Sequence, residues 1–168
     1  VLAQNPELVP LIKESGCWYL SFGIESGNQK VLNMIKKNIT LEQTREVINS
    51  VHKNKIFIRG FFMIGFPGET KETIMETINF AKNLPLDGVQ FNKVSPYEGT
   101  ELHDMALQDG GYFNKFGYEY MSGHSNDVVF VPNGLTKEFL SWAQKEGYRK
   151  VFFRPSYILR QLRNIRDL

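Results

Sequence analysis

A single cysteine, Cys17, occurs in the 168 residues. An internal disulfide is therefore excluded, and so is an iron–sulfur or zinc site held by this chain alone, since such sites take about three or four cysteine or histidine ligands. The three histidines, His52, His103 and His124, stand at spacings that fit no metal site. Long apolar runs are also missing. The longest, Phe61 to Phe66, is strand-sized, whereas a membrane helix needs roughly 18 to 20 apolar residues. Residues Val1 to Pro10 include Glu7 and no basic stretch, so they do not read as a signal peptide and the expected compartment is the cytoplasm. No Gly-x-x-x-x-Gly-Lys-Ser/Thr loop and no Gly-x-Gly-x-x-Gly opening is present, which argues against phosphate-loop and dinucleotide-binding readings.

Charge of one sign is scarce as well, with a net charge of only +2. It is unevenly placed: Arg149, Lys150, Arg154, Arg160, Arg163 and Arg166 face only Asp167 over the last 20 residues. A solvated basic helix face accounts for this, and nucleic-acid binding is not expected. What the chain does have is 42% apolar and 13% aromatic residues, enough for one packed core.

The order of elements follows from periodicity. Residues 6 to 15 place Leu8, Leu11 and Ile12 at helical spacing and stop at Gly16, the residue type that tolerates a left-handed helix end. Cys17 to Ile24 is aromatic and reads as a strand leading into Glu25, Ser26 and Gly27. Val31, Leu32 and Ile35 form a helical stripe from Asn28 toward Asn38, and Thr40 with Gln43 makes a capping box for a second helix. Ile56 to Phe66 is almost continuously apolar, which predicts a strand covered on both faces. Thr70 caps the next helix, closed by Pro85, and Gly88 to Ser95 returns as a third strand. Alternating strands and helices predict parallel βα units. Beyond Pro96, Glu101 to Gln108 suits a short helix, Gly110 to Gly123 a long ordered loop, and Val128 to Val131 a small strand. Thr136 caps a helix through Leu140, Ala143 and Gly147 toward Phe153. After Pro155, Tyr157, Ile158 and Leu162 suit a terminal helix that exposes Arg160, Arg163 and Arg166.

Ligands of parallel α/β sheets gather at the C-terminal ends of the strands. Three segments lie there: Gly23 to Gly27, Gly65 to Thr70 and Ser95 to Thr100. Each combines glycine with a carboxylate and a hydroxyl, groups suited to a ribose, an ammonium or a carboxylate. Taken singly, each is also what an ordinary βα turn uses. Cys17 reads as a small core residue. Trp18, Tyr97, Tyr112, Phe113, Phe116, Tyr118 and Tyr120 suit either a substrate pocket or an aromatic wall.

In this order the strings FGIESGNQKVLNMIKKNIT, GFFMIGFPGET and FNKVSPYEGTEL closely resemble the fourth to sixth strands of the radical S-adenosylmethionine (radical SAM) barrel. The resemblance spans residues 6 to about 108. It implies an α/β fold, a partial TIM-type βα barrel of about three parallel strands with an α-rich C-terminal extension, divided at residues 108 and 109. It also implies SAM contacts at Glu25 and Ser26, at Lys37 near the SAM carboxylate, at Ile64 and Gly65 near the adenine, and at Val94, Ser95 and Pro96 along the sixth-strand edge. The stretch VFFRPSYILRQL is similar to the tail of the subgroup that carries a cobalamin-binding domain.

Members of that family hold a 4Fe–4S cluster through a Cys-x-x-x-Cys-x-x-Cys loop after the first strand, and the cluster reduces SAM to methionine and a 5′-deoxyadenosyl radical. The resemblance places the start of this sequence near the third helix, so the cluster ligands are expected in an N-terminal half of the same protein and the chain alone is expected to be inactive. The parent reads as an oxidoreductase or methyltransferase. Open sheet edges predict cover by that missing half or by a second copy of the chain. Two rivals stand beside this reading. One is a non-catalytic α/β interaction module whose basic tail meets an anionic partner, and the other is a phosphate-binding barrel.

Overall fold

The computed structural model describes residue 2, residues 4 to 113 and residues 129 to 166, the side chains of residues 161 to 166 excepted. The expected strand start at Val128, most of the Gly110 to Gly123 loop, and Phe116, Tyr118, Tyr120 and His124 lie outside the described residues. So do the side chains of Leu162, Arg163 and Arg166.

Helix α1, Leu8–Glu14, ends at Gly16, whose φ of 91° is open to glycine. Strand β1, Tyr19–Glu25, leads to the short helix α2, Gln29–Met34, capped by Asn28 accepting from the Val31 amide at 3.0 Å. Helix α3, Leu41–Lys53, opens with the expected reciprocal box: Gln43 N–H donates to Thr40 Oγ1 at 3.1 Å, and Thr40 N–H to Gln43 Oε1 at 2.9 Å. Strand β2, Phe57–Ile64, is followed by α4, Lys71–Asn83, where Thr70 and Thr73 cap each other. Strand β3 is Gly88–Lys93, and α5, Glu101–Asp109, starts at the Thr100 cap. A small antiparallel pair, β4 (Tyr112–Phe113) and β5 (Phe130–Val131), precedes α6, Lys137–Phe152, and α7, Pro155–Arg166.

The strands β1, β2 and β3 form a parallel sheet in that order, as repeated βα units require. The fold is α/β, a partial βα barrel. One face of the sheet carries the core. Ile58, Phe62 and Ile64 of β2 are fully buried against Val47 and Ile48 of α3 and Ile74 and Ile78 of α4, and Phe62 stacks on Phe91 of β3 at 5.3 Å. Each such side chain contributes roughly 1.5–3 kcal/mol through burial. Helix α6 covers the far side of β3, with Leu140, Ala143 and Val151 in the same core and Tyr148 edge-on to Phe91 at 5.6 Å. The extension thus adds a helix to the core. Asp109, at the expected division, binds the Gly68 amide at 2.8 Å and the Asn133 amide at 2.7 Å, tying both sides together.

Two sequence expectations are corrected. The apolar run of β2 predicts cover on both faces, but burial alternates along it, with Arg59, Phe61 and Met63 only half buried and Phe57 exposed. Helices cover one face; on the other Met63 packs at the C-terminal end against the buried cluster of Val31, Phe66 and Val94, and Arg59 and Phe61 stay half buried. The terminal helix was expected to expose Arg160; instead its guanidinium donates to the Pro85 and Leu86 carbonyls and lies 3.1 Å from Asp87. Arg154 donates to Lys82, Leu84 and Leu86 in the same turn. The cause is the unpaired carbonyls where α4 ends, which attract cations.

Candidate functional site

The C-terminal end of β1 is bent by a bulge. The register runs Gly23 to Phe61 and then Glu25 to Phe62, so Ile24 has no partner of its own and buries its side chain. Glu25 takes a φ of 68°, the left-handed region, which costs a non-glycine residue roughly 1–2 kcal/mol. That twist folds the carboxylate back over Gly23. A Cβ at Gly23 would sit 2.6 Å from Glu25 Oε1, so any larger residue there would displace the carboxylate from this position. After α2 a second left-handed residue, Lys36 at φ 56°, turns the chain, and the Lys37 amide donates to the Leu32 carbonyl at 2.9 Å. Lys37 Nζ then reaches Glu25 Oε1 at 3.4 Å, with the two side chains 38% and 24% exposed. A half-open carboxylate and ammonium result, side by side at a strand end.

Ser26 is placed differently. It is fully buried; its Oγ lies 3.0 Å from Thr77 Oγ1 and accepts from the Asn28 amide at 3.1 Å, while Thr77 Oγ1 accepts from the Gly27 amide at 3.0 Å. Gly27 approaches α4 so closely that a Cβ would meet Phe80 Cβ at 2.4 Å and Thr77 Cα at 2.7 Å. The Ser26 hydroxyl locks the first loop onto α4.

At the second loop Ile64 is fully buried in the core, and Gly65 adopts a φ of 88°. Their geometry is held by Glu69, which sequence reasoning did not single out. Its carboxylate is 2% exposed; Oε2 accepts from the Gly65 amide at 2.8 Å and the Phe66 amide at 3.0 Å, and Oε1 accepts from Thr73 Oγ1 at 3.2 Å. Burial pushes its pKa up to about 7, against the opposing pull of those donors. The one local signal was an acid directly before the capping Thr70, where free helix amides gather.

The third loop continues the edge. The Val94 amide donates to the Ile64 carbonyl at 3.0 Å, and the Val94 side chain is buried with Val31 and Phe66. Ser95 is half buried and Pro96 buried. The structure therefore brings Glu25 and Lys37 into contact and sets Gly65 and Val94 to Pro96 along the same end of the sheet. The side chains of Ser26, Ile64 and Val94 belong to the interior. Among the aromatics, Trp18, Tyr97 and Tyr112 are exposed, and Phe113 packs on Phe130 at 4.9 Å. Cys17 is half buried beside the core, its Sγ 3.3 Å from the Tyr19 carbonyl. A cavity of about 710 Å³ lies at the opposite end of the strands, between α3, the α4–β3 turn and α7. Its Arg154 and Arg160 are already bonded to carbonyls, so it is not the candidate site.

The sequence model of the radical SAM superfamily matches residues 2–81, which contain the first two of the three loops. An uncharacterized methyltransferase of Pyrococcus horikoshii is 32% identical over 158 residues, covering 94% of this chain and 34% of that protein. The chain belongs to the radical SAM superfamily. Other relatives include the cytidylyl-2-hydroxyethylphosphonate methyltransferase of Streptomyces wedmorensis, 34% identical over 77% of this chain and 25% of its own length. The anaerobic magnesium-protoporphyrin IX monomethyl ester cyclase of Rubrivivax gelatinosus is 23% identical over 94% of this chain and 27% of its own. The chain thus spans about a quarter to a third of the length of these relatives.

Two cofactors are implied by that family, and the residues treat them differently. For SAM they fit: a carboxylate and an ammonium, half open beside the bare Gly23, complement the ammonium and carboxylate of an amino acid. For the cluster they do not. Cys17 is the single cysteine, and no group of three or more His, Cys, Asp or Glu side chains among the described residues can hold a metal. No helix among the described residues is long and apolar enough to cross a membrane.

Proposed function

We propose that this chain is the SAM-facing half of a radical SAM methyltransferase or oxidoreductase barrel. The observation that carries the reading is the strained Glu25, held over Gly23 and paired with Lys37 at the C-terminal end of β1. Strain at a strand end is retained where the conformation is needed. Glu25 takes the SAM ammonium and Lys37 its carboxylate, each exchanging the mutual pair for a closer partner. Ser26 and Thr77 fix the loop that carries Glu25, and Glu69 fixes the Gly65 turn. Those two anchors are rigid, so the cofactor meets a preformed edge. SAM with a reduced 4Fe–4S cluster supplies hydrogen-abstracting radical chemistry, and the cluster ligands come from elsewhere in the same cytoplasmic protein. That remaining part also covers the open face of the sheet. The similarity of the VFFRPSYILRQL tail to the cobalamin-binding subgroup makes cobalamin part of the reading, to be tested by its absorbance in the purified whole protein.

The rival reading, a basic tail offered to an anionic partner, is weakened because Arg154 and Arg160 turn inward onto carbonyls. The test is anaerobic incubation of the reduced whole protein with SAM, following 5′-deoxyadenosine by chromatography. The whole protein should form it, and Glu25→Gln should lower the rate at subsaturating SAM by roughly tenfold or more, since a hydrogen bond to a charged group is worth about 1.5–3 kcal/mol. No product from the intact, cluster-loaded protein would contradict the reading.

A further inference from the structure

The open face of the sheet holds a polar row that the SAM edge does not use. Arg59 lies on β2 between the buried Ile58 and Gly60, so its side chain is on the face away from the helices. Its register partner on β3 is Gly88, where a Cβ would be 3.5 Å from Arg59 Cγ, so the arginine lies across β3 over a position without a side chain. Its Nη2 donates to Gln90 Oε1 at 3.0 Å, and Gln90 Nε2 donates to Asn92 Oδ1 at 3.0 Å. On the other flank Ser21 donates to the Tyr19 hydroxyl at 2.9 Å. Phe61 lies beneath the guanidinium, 5.3 Å from its centroid.

Among the described residues Arg59 forms no ion pair. Glu25, at the upper end of the same sheet, is already engaged by Lys37. Among the described residues of this face Arg59 thus meets no carboxylate, and Gln90, itself held by Asn92, accepts from one arm of its fork. The planar fork of a guanidinium matches a two-oxygen anion.

We propose that Arg59, oriented by Gln90 and Asn92, anchors an oxyanion on the substrate, a carboxylate or a phosphonate. The anchor would hold the substrate on the inner face of the sheet, below the SAM edge at Glu25. This rests on the reading above for the identity of the ligand as substrate, but not for the existence of the anion site.

The probe is methylphosphonate, titrated calorimetrically into the whole protein with and without SAM. Saturable millimolar binding is expected, weakened tenfold or more in Arg59→Gln and partly restored in Arg59→Lys. The neutral analogue N-methylacetamide should give no saturable heat. SAM affinity should stay within twofold in both variants, which also shows that they are folded; if the Gln variant does not fold, the Lys variant carries the comparison with at least a threefold loss. Equal methylphosphonate affinity in wild type and the folded variants would overturn the proposal. So would the lack of saturable binding to the wild type, because Arg59 would then be paired with a carboxylate from elsewhere in the protein. Failure of SAM to bind would instead count against the SAM edge, with the anion titration still readable.

Discussion

Replacing Glu69 by glutamine separates the electrostatic cost of its burial from its hydrogen bonds. The carboxyl group is 2% exposed, and its pKa stands at about 7 in the fold against 4.5 in the unfolded chain. Between those values the folded state holds a proton that the unfolded state has released. The stabilising contribution is thus complete below pH 4.5 and is lost as pH rises through about 7. The full loss is about 3 kcal/mol, at 1.36 kcal/mol per unit. Glutamine keeps the shape: its carbonyl oxygen can accept from the Gly65 and Phe66 amides, and its NH2 can donate to Thr73 Oγ1. Glu69→Gln should therefore lie within about 1 kcal/mol of the wild type at pH 5 and exceed it by about 3 kcal/mol at pH 8.5. Urea unfolding across pH 5 to 8.5, followed by tryptophan fluorescence, measures this. Taking the difference between the two proteins cancels other titrations such as that of His52, whose lowered pKa, caused first by desolvation and then by Arg160, acts in the opposite sense. A pH-independent difference, or a less stable variant at pH 8.5, would refute the reasoning.

Phe62→Ala should lose about 3–5 kcal/mol, as expected for a fully buried aromatic stacked on Phe91, read as a lower urea midpoint. Thr77→Val, which leaves the Gly27 amide and the Ser26 hydroxyl without their partner, should cost about 1–3 kcal/mol in the same assay. Gly27→Ala should be at least as damaging as an overpacked core, about 1–3 kcal/mol or more, because the new methyl meets backbone at Thr77. Arg160→Ala should free α7 from the Pro85 and Leu86 carbonyls and from Asp87, so limited trypsin digestion should remove it faster than from the wild type. Unchanged cleavage would show that the clamp is not what holds the helix.

Much of the fold was legible because its signals are local. Thr40, Thr70, Thr100 and Thr136 each stand one residue before a helix that they cap, and the Thr40 and Gln43 box reads directly from spacing. What escaped is tertiary. The run from Ile56 to Phe66 cannot reveal that helices lie on only one side of it. Its Phe61 is as apolar as the buried Phe62 yet only half covered, and Met63 finds its contacts in a separate cluster with Val31, Phe66 and Val94. Ser26 and Glu25 are neighbours of similar polarity, yet a one-residue bulge sends one inward to Thr77 and leaves the other half open. Bulges leave little trace in composition, and the left-handed Glu25 and Lys36 are residue types that seldom adopt that conformation. Arg160 read as a solvated cation because the carbonyls it serves lie more than 70 residues away along the chain.

The central claim is that Glu25 and Lys37 form the part of the sheet edge that receives SAM. Calorimetric titration of SAM into the whole protein tests it directly, comparing wild type with Glu25→Ala and Lys37→Ala, and with Lys36→Ala, whose exposed pair with Glu101 lies outside the site. Each of the first two substitutions should weaken SAM binding by roughly tenfold or more, and Lys36→Ala should change it by less than twofold. Unchanged affinity in folded Glu25→Ala and Lys37→Ala proteins would contradict the account.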